Sequence, residues 1–142
     1  MANPLYPAFA FQKPQPRALT KGQKRREANA AIDAAYADVD LRDGPYSRVS
    51  GRYTQPGAVD PRVRREHHHI RPRGTHPELI AEPRNIFVCT AEEHQLIHAG
   101  ALVVEGTDAS RVLRFHWNRE MVPRGKEPFE IKSRRQSQER DA

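Results

Sequence analysis

The chain has 142 residues, enough for one small domain with tails and too few for two full domains. Hydrophobic residues make up 37% of the chain and charged residues 30%, so a good part of it is predicted to be solvated rather than buried. The formal net charge of +6 at pH 7 makes a polyanion, either nucleic acid or an anionic membrane surface, the first partner to consider.

Two kinds of protein are excluded by the pattern of apolar residues and cysteines. No run approaches the roughly 18 apolar residues that a spanning helix needs, and prolines interrupt the short apolar stretch at the N-terminus. The sequence therefore predicts neither a membrane span nor a signal peptide, and a cytoplasmic location is the default. The single cysteine, Cys89, excludes an intramolecular disulfide and a cysteine-rich zinc site, and we expect it to be buried.

Residues 1–19 carry four prolines and predict an extended arm. From Thr20 to about Asp40, small and apolar residues recur at helical spacing and predict a helix: Ala28, Ala31, Ile32, Ala35, Tyr36 and Val39. The first turns of this helix are basic, with Lys21, Lys24, Arg25 and Arg26. Cations are unfavourable at the positive end of the helix dipole, so they hint at phosphate contact, although a solvated charged face is the more common explanation.

The middle of the chain predicts a connector followed by two strands. Glycine and proline punctuate the stretch before residue 64, where a short β-like element at 46–49 suggests a loose hairpin. Residues 64–71 predict a strand or extended segment, 71–84 a loop, and 85–89 a second β-like run.

A second helix is predicted from Thr90 to about Ala99. Thr90 and Glu93 have the spacing of a capping box, and Gly100 is a typical C-terminal signal. Strand-like runs at 101–105 and 111–117 around the turn GTDAS predict a β-hairpin. The charged sequence from residue 118 onward predicts a disordered tail.

His94 and His98 lie four residues apart on the second predicted helix, a spacing that lets two imidazoles share one metal ion. Such a pair alone is more often a pair of surface histidines. A zinc protease is excluded because its motif needs glutamate directly after the first histidine, where this chain has Gln95. A zinc deaminase is excluded because there is no PCxxC sequence.

A third ligand and a general base must then come from His67, His68 and His69. Consecutive residues of a strand face opposite ways, so His68 and His69 can serve one centre only if the chain turns there and the metal and the water lie in different directions. Pro72 supports the end of a strand near this point.

The ordered pattern of HHI-x-P, Asn85 opening NIFV, and His94 nine residues later in TAEEHQLIH resembles the HNH endonuclease family with its ββα-metal core. Upstream, SRVSG is similar to the Cys-Arg-Val-x-Gly segment of small phage-type members, and the hairpin after HAG is similar to theirs. The resemblance covers about 46–117. It implies an α+β nuclease domain at 20–117 with its core at about 60–100, an N-terminal helix, a C-terminal hairpin, and flexible tails at 1–19 and 118–142.

The chain also departs from this family. Many members hold a structural zinc with two CxxC pairs, whereas Ser47 stands at a position where such a cysteine would occur and Cys89 is alone, so we expect that zinc to be absent. The usual Gly-Gly of the loop is replaced by RGTHPELIAEP, so the geometry of the loop is not predicted.

The resemblance implies roles for five residues: His69 as general base, His68 and His94 as metal ligands, His98 as the further ligand of the colicin-type DNases, and Asn85 as the brace of the loop. It implies one divalent ion. Imidazole ligands suit Zn, Ni, Co or Mn more readily than Mg, although phosphate oxygens of the substrate weaken that preference.

Basic residues flank the histidines on both sides and are candidates for DNA-phosphate contacts: Arg62, Arg64, Arg65, Arg71 and Arg73. The remaining histidines have no predicted catalytic role. We expect His67 to pack or to support a ligand, His76 to be exposed in a loop, and His116 to be structural.

The sequence thus predicts a metal-dependent DNA endonuclease that nicks or cleaves double-stranded DNA with little sequence preference and has no membrane partner. The phage-type resemblance implies a phage protein in a bacterial host cell that works beside DNA-packaging proteins. Two alternatives stay open. One is a non-catalytic DNA-binding or packaging accessory protein that retains the fold, and the other is a structural zinc domain that uses His68, His94 and His98.

Overall fold

The structure is a computed structural model that describes residues 16–132. The predicted arm before residue 16 and the predicted tail after 132 lie outside the described residues. Within this range the protein is a small α+β fold of two α-helices and two antiparallel two-stranded sheets, so the predicted α+β class is confirmed. None of the helices in this range is long and apolar enough to cross a membrane.

Helix α1 spans Lys21–Asp43 and begins at Thr20, whose side chain accepts a hydrogen bond from the backbone N–H of Gln23 in a capping box. It ends at Asp43, three residues beyond the predicted end, and Gly44, with φ 69°, is its C-cap. Only its C-terminal half packs on the body of the protein. There Ala35 and Val39 are buried against the second strand.

Strand β1 (Arg65–His69) pairs with strand β2 (Ile86–Thr90) in antiparallel register, with His68 opposite Phe87 and His69 opposite Ile86. Every residue of β2 is buried, because the strand lies between two apolar clusters. One face of β2 packs against α1, and the other packs against the larger core of the hairpin. The sheet therefore joins the N-terminal helix to the rest of the domain.

Helix α2 (Ala91–His98) follows β2 directly, and Thr90 is both the last strand residue and the N-cap. Its predicted capping box with Glu93 is present. Strands β3 (Leu102–Glu105) and β4 (Arg114–Trp117) form the predicted antiparallel hairpin. The hairpin contributes much of the larger core, which contains Leu102, Leu113, Phe115 and Trp117.

Residues 46–49 differ from the predicted β-like element, because they form a turn with only an isolated bridge between Tyr46 and Tyr53. The turn is held by a buried carboxylate and by a backbone hydrogen bond, from the N–H of Arg48 to the carbonyl of Val88 in β2 at 2.9 Å. The hydroxyls of Ser47 and Ser50 donate to the two oxygens of Glu93, with 2.8 Å between Ser50 Oγ and Oε2. We call Ser47, Ser50 and Glu93 the serine–glutamate cluster. All three side chains are buried.

Residues 118–132 also differ from the prediction, because this segment is packed against the hairpin rather than disordered. Val122 and Phe129 are buried in the larger core, and the rings of Phe129 and Trp117 lie 4.9 Å apart. The backbone N–H of Lys132 donates to the carbonyl of Val49. Ile131, which is half-buried, also packs against this core, so a few spaced apolar side chains fasten a largely polar segment and the packed domain extends at least to residue 132.

Truncation of Glu93 should destabilise the protein. Glu93→Ala leaves the hydroxyls of Ser47 and Ser50 buried without their acceptor, so we expect a loss of about 2–4 kcal/mol in the free energy of unfolding, measured in urea. The matched control is Glu92→Ala, which removes only a half-exposed ion pair with Arg52 and should cost under about 1 kcal/mol. Equal losses for the two variants would contradict a structural role for the cluster.

Candidate metal centre

The side chains of β1 alternate between the two faces of its sheet. His67 and His69 lie on the face toward α1, where their rings are 4.1 and 6.2 Å from the ring of Tyr36. Glu66 and His68 lie on the opposite face, toward α2. The consecutive histidines are therefore divided between two environments by the strand itself.

His68, His94 and His98 meet at the junction of β1 and α2. One nitrogen from each ring lies within 4.8 Å of the others, close enough to bind one metal ion. The ring centroids are 5.2 Å apart for His68 and His94, 5.3 Å for His68 and His98, and 4.6 Å for His94 and His98. The Nε2 atoms of His94 and His98 are 2.9 Å apart, as the four-residue helical spacing predicts.

The buried member of this trio is suited to bind a cation. Burial, together with the neighbouring imidazoles, lowers the pKa of His68 to about 3, so its ring is neutral at physiological pH. Its Nδ1 atom is buried and has no hydrogen-bond partner among residues 16–132. A neutral imidazole can coordinate a metal, and a buried nitrogen without a partner is otherwise unfavourable. The trio therefore fits a divalent ion of the kind that imidazoles bind, such as Zn, Ni or Mn.

Glu66 orients one of the three rings. Its carboxylate is hydrogen-bonded to Nδ1 of His94, which leaves Nε2 of that ring directed toward His98. A carboxylate behind a ligating histidine fixes the tautomer of the ring and makes it a stronger ligand. Sequence reasoning missed Glu66, but a signal was present: two positions before His68 on a strand, it must share the face of that histidine.

His69 has one ring nitrogen occupied and one free for chemistry. Its Nε2–H donates to the carbonyl oxygen of Ile80 at 2.9 Å, which leaves Nδ1 as the nitrogen that can accept a proton. Burial is the main cause that lowers the pKa of His69, so the neutral form is favoured near pH 7. The ring thus has the protonation state and tautomer of a potential base.

Asn85 ties together the loop that carries this carbonyl. Its Oδ1 accepts from the backbone N–H of Arg71 at 2.8 Å, and its Nδ2 donates to the carbonyls of Arg71 and Leu79 at 3.1 and 3.3 Å. The side chain is buried, so these bonds are shielded from water. Asn85 therefore braces the residue next to Ile80, whose carbonyl holds the ring of His69.

The other histidines lie away from the trio. His67 stacks on Tyr36, and its Nε2 is 2.7 Å from the carboxylate of Asp40, so it fastens α1 to β1. His76 lies in the loop and is half-buried rather than exposed. His116 is exposed on β4, with Nδ1 3.4 Å from Glu105.

The candidate phosphate-binding arginines divide into two groups. Arg65 is held by the protein itself, because its guanidinium bonds to Thr54 and lies 3.8 Å from Asp40. Arg62 pairs with Asp60, and Arg64 is 3.5 Å from Glu66. By contrast, Arg71 and Arg73 are exposed in the loop after β1, and Arg73 donates to the hydroxyl of Tyr36 at 2.6 Å.

A cavity of about 500 Å³ joins these features. Its lining includes all three histidines of β1, the two histidines of α2 and Arg73. Ile70, Pro72 and Ile97 form the apolar part of the cavity lining. The trio and His69 thus open onto one space, although they come from opposite faces of the strand, because His69 is the last residue of β1 and the chain turns away after it.

Comparisons of this chain with protein families, with curated proteins and with solved structures find no match.

Removal of a ligand, or of its supporting carboxylate, should weaken metal binding to different extents. We expect His94→Ala to abolish tight binding of Zn²⁺ or Ni²⁺, and Glu66→Gln to weaken it about 10- to 100-fold, because the amide holds the His94 ring less well. Isothermal titration calorimetry measures both. The control is His116→Ala, an exposed histidine on the hairpin, which should leave the affinity unchanged. Unaltered affinity in His94→Ala would show that the trio is not the metal site.

Proposed function

We propose that the protein is a metal-dependent DNA endonuclease with a ββα-metal core of the HNH type, formed by β1, β2 and α2. One observation carries the proposal. Three imidazoles able to hold a divalent ion share a cavity with a fourth, His69, whose tautomer is fixed by the carbonyl of Ile80. A site for metal alone would not need this fourth ring.

His68, His94 and His98 would hold the ion. When bound there, a divalent cation supplies a Lewis acid that stabilises negative charge on a phosphate and on the departing 3′ oxygen. Three protein ligands leave further coordination positions for substrate and water, as catalytic sites require. Glu66 keeps the ring of His94 in the ligating tautomer.

His69 would act as the general base. Its free Nδ1 takes a proton from a water molecule as that water attacks phosphorus. A buried ring with a lowered pKa is unprotonated at neutral pH and is therefore ready to accept the proton. Asn85 would act as a positioning residue. Its hydrogen bonds hold the loop in which the carbonyl of Ile80 orients the ring of the base.

Substrate would be held by its backbone. Arg71 and Arg73 lie in the exposed loop beside the cavity, where cations bind phosphates without regard to sequence. This favours nicking or nonspecific cleavage of duplex DNA. Work beside phage packaging proteins in a bacterial host remains an expectation from the family resemblance.

Two other functions make different demands on the site. A non-catalytic DNA-binding or packaging accessory protein would need no proton acceptor at position 69. A structural zinc domain would need the metal for folding. In this protein the larger core and the serine–glutamate cluster contain none of the three candidate ligands, which favours a catalytic role for the trio.

Plasmid cleavage tests the activity. We expect the purified protein to nick supercoiled DNA with at least one of Mn²⁺, Mg²⁺, Ni²⁺ or Zn²⁺, and His69→Ala to lower the rate by about 10²- to 10⁴-fold while metal affinity is retained. His76→Ala, which changes a loop histidine outside the cavity lining, is the control. The proposal is lost if no metal supports cleavage, or if His69→Ala is as active as the unchanged protein.

Chelation separates a catalytic metal from a structural one. With EDTA we expect activity to disappear, while circular dichroism and the urea midpoint stay near their metal-loaded values, apart from the stabilisation that any ligand gives. Unfolding of the protein on removal of metal would instead identify a structural zinc domain.

A further inference from the structure

The N-terminal half of α1 projects from the body of the protein. All residues from 16 to 31 are exposed, and the first buried side chain of the helix is Ala35. At 1.5 Å per residue, the exposed helical part from Lys21 onward is about 16 Å long. A helix segment with no apolar face to bury adds no packing energy to the fold, so any role must come from its exposed charges.

This segment is strongly basic. It carries four cations, Lys21, Lys24, Arg25 and Arg26, and one acid, Glu27. Among residues 16–132, no acidic side chain forms an ion pair with any of the four. The first turn has no acidic residue, although the helix dipole favours one there. The arrangement works against the stability of the isolated helix and suits a polyanion.

Three of the four cations lie on a common side of the helix. Lys21, Lys24 and Arg25 are spaced so that they share one side of the helix. That side continues through Ala35 and Val39, which pack on the body. These three basic residues therefore continue the packed face of α1 beyond the point where the helix leaves the body of the protein.

The helix leaves the body beside the cavity. Tyr36, one turn before the buried Val39, lies 6.2 Å from the ring of His69 and accepts a hydrogen bond from Arg73. Along the axis, Lys21 is about 22 Å from Tyr36. At 3.4 Å per base pair, this corresponds to about six or seven base pairs of duplex.

We propose that the projecting half of α1 is a second DNA-binding element, which holds the phosphate backbone of the duplex that flanks the cleavage site. The inference rests on the proposed nuclease function. The binding is electrostatic and does not read bases, so it contributes affinity and alignment of the duplex rather than sequence preference.

An anionic membrane is the other polyanionic surface to consider, and the helix does not suit it. A helix that lies in a membrane interface needs large apolar residues opposite its basic face. The segment from Lys21 to residue 31 has only alanines as apolar residues. Charge without an apolar face favours nucleic acid.

The test compares two charge-neutralised variants of the full chain. The first carries Lys21→Gln, Lys24→Gln, Arg25→Gln and Arg26→Gln, and glutamine keeps the helix propensity. The matched control removes four exposed cations of the hairpin and the following segment: Arg114→Gln, Arg124→Gln, Lys126→Gln and Lys132→Gln. Binding is measured without added metal on a duplex of about 30 base pairs and on a short duplex of about 4 base pairs closed by a hairpin loop, which cannot reach Lys21 from the cavity.

On the long duplex we expect the first variant to lower the slope of log affinity against log salt by about three, since each of the three cations on the shared side of the helix makes one phosphate contact and each lost contact removes about 0.9. The short duplex should show no difference, and the control variant should keep most of its slope. Hydrolysis of bis(p-nitrophenyl) phosphate with Mn²⁺ should be unchanged, because that substrate never reaches the helix.

The proposal is overturned if the slope on the long duplex does not change, if the control variant loses as much, or if the short duplex is affected equally. It is also overturned if the first variant keeps DNA binding and loses binding to phosphatidylglycerol vesicles. Absence of phosphodiester hydrolysis by the unchanged protein would defeat the nuclease proposal alone, because the binding comparison needs no turnover.

Discussion

The fold depends on a buried carboxylate. Glu93 is fully shielded from solvent, and a carboxylate in such a place is tolerated only if hydrogen-bond donors surround it. The donors are the hydroxyls of Ser47 and Ser50 and the backbone N–H of Thr90. These bonds join a distant turn to the first turn of α2, and the residue after Glu93 is His94. The direction in which α2 leaves the sheet, and with it the placement of two of the three candidate ligands, is therefore set by a polar contact in the interior.

Strand β1 contributes a second constraint, which assigns different tasks to adjacent identical residues. The alternation of its side chains sends Glu66 and His68 toward α2, and His67 and His69 toward α1. On one face, the carboxylate of Glu66 supports the ring of His94, and His68 completes the candidate metal-binding trio. On the other, one histidine fastens a helix and the next is held by a loop carbonyl. The alternation of the strand thus places three consecutive histidines in three different environments.

Local signals were sufficient to predict much of this fold. The helical spacing of the small residues in α1, the capping box at Thr90 and the apolar runs of the hairpin act over a few residues, so both helices and the hairpin were predicted close to their observed bounds. The turn at residues 46–50 and the packing of 118–132 were not predicted, because each depends on contacts outside its own short stretch of sequence. The turn depends on Glu93, and the packing depends on the contact between Phe129 and Trp117. The same limit applies to the site. Helical spacing was enough to predict that His94 and His98 lie side by side. The contacts of Glu66 and of the Ile80 carbonyl depend on how the strand and the loop pack, so they were not predicted. The HNH resemblance and the roles drawn from it stay predictions.

The serine–glutamate cluster also determines which conditions the interior of the protein needs in order to form. Its contacts join hydroxyls to a carboxylate, and no thiolate or metal–ligand bond takes part in them. The nearby thiol of Cys89 is buried, and burial raises its pKa, which makes it a poor nucleophile and a poor target for oxidants. The contacts that set the direction of α2 can therefore form without an ion, and under reducing or oxidising conditions alike. An ion bound by the candidate trio would join a domain whose interior contacts are already complete, and its loss would leave those contacts in place.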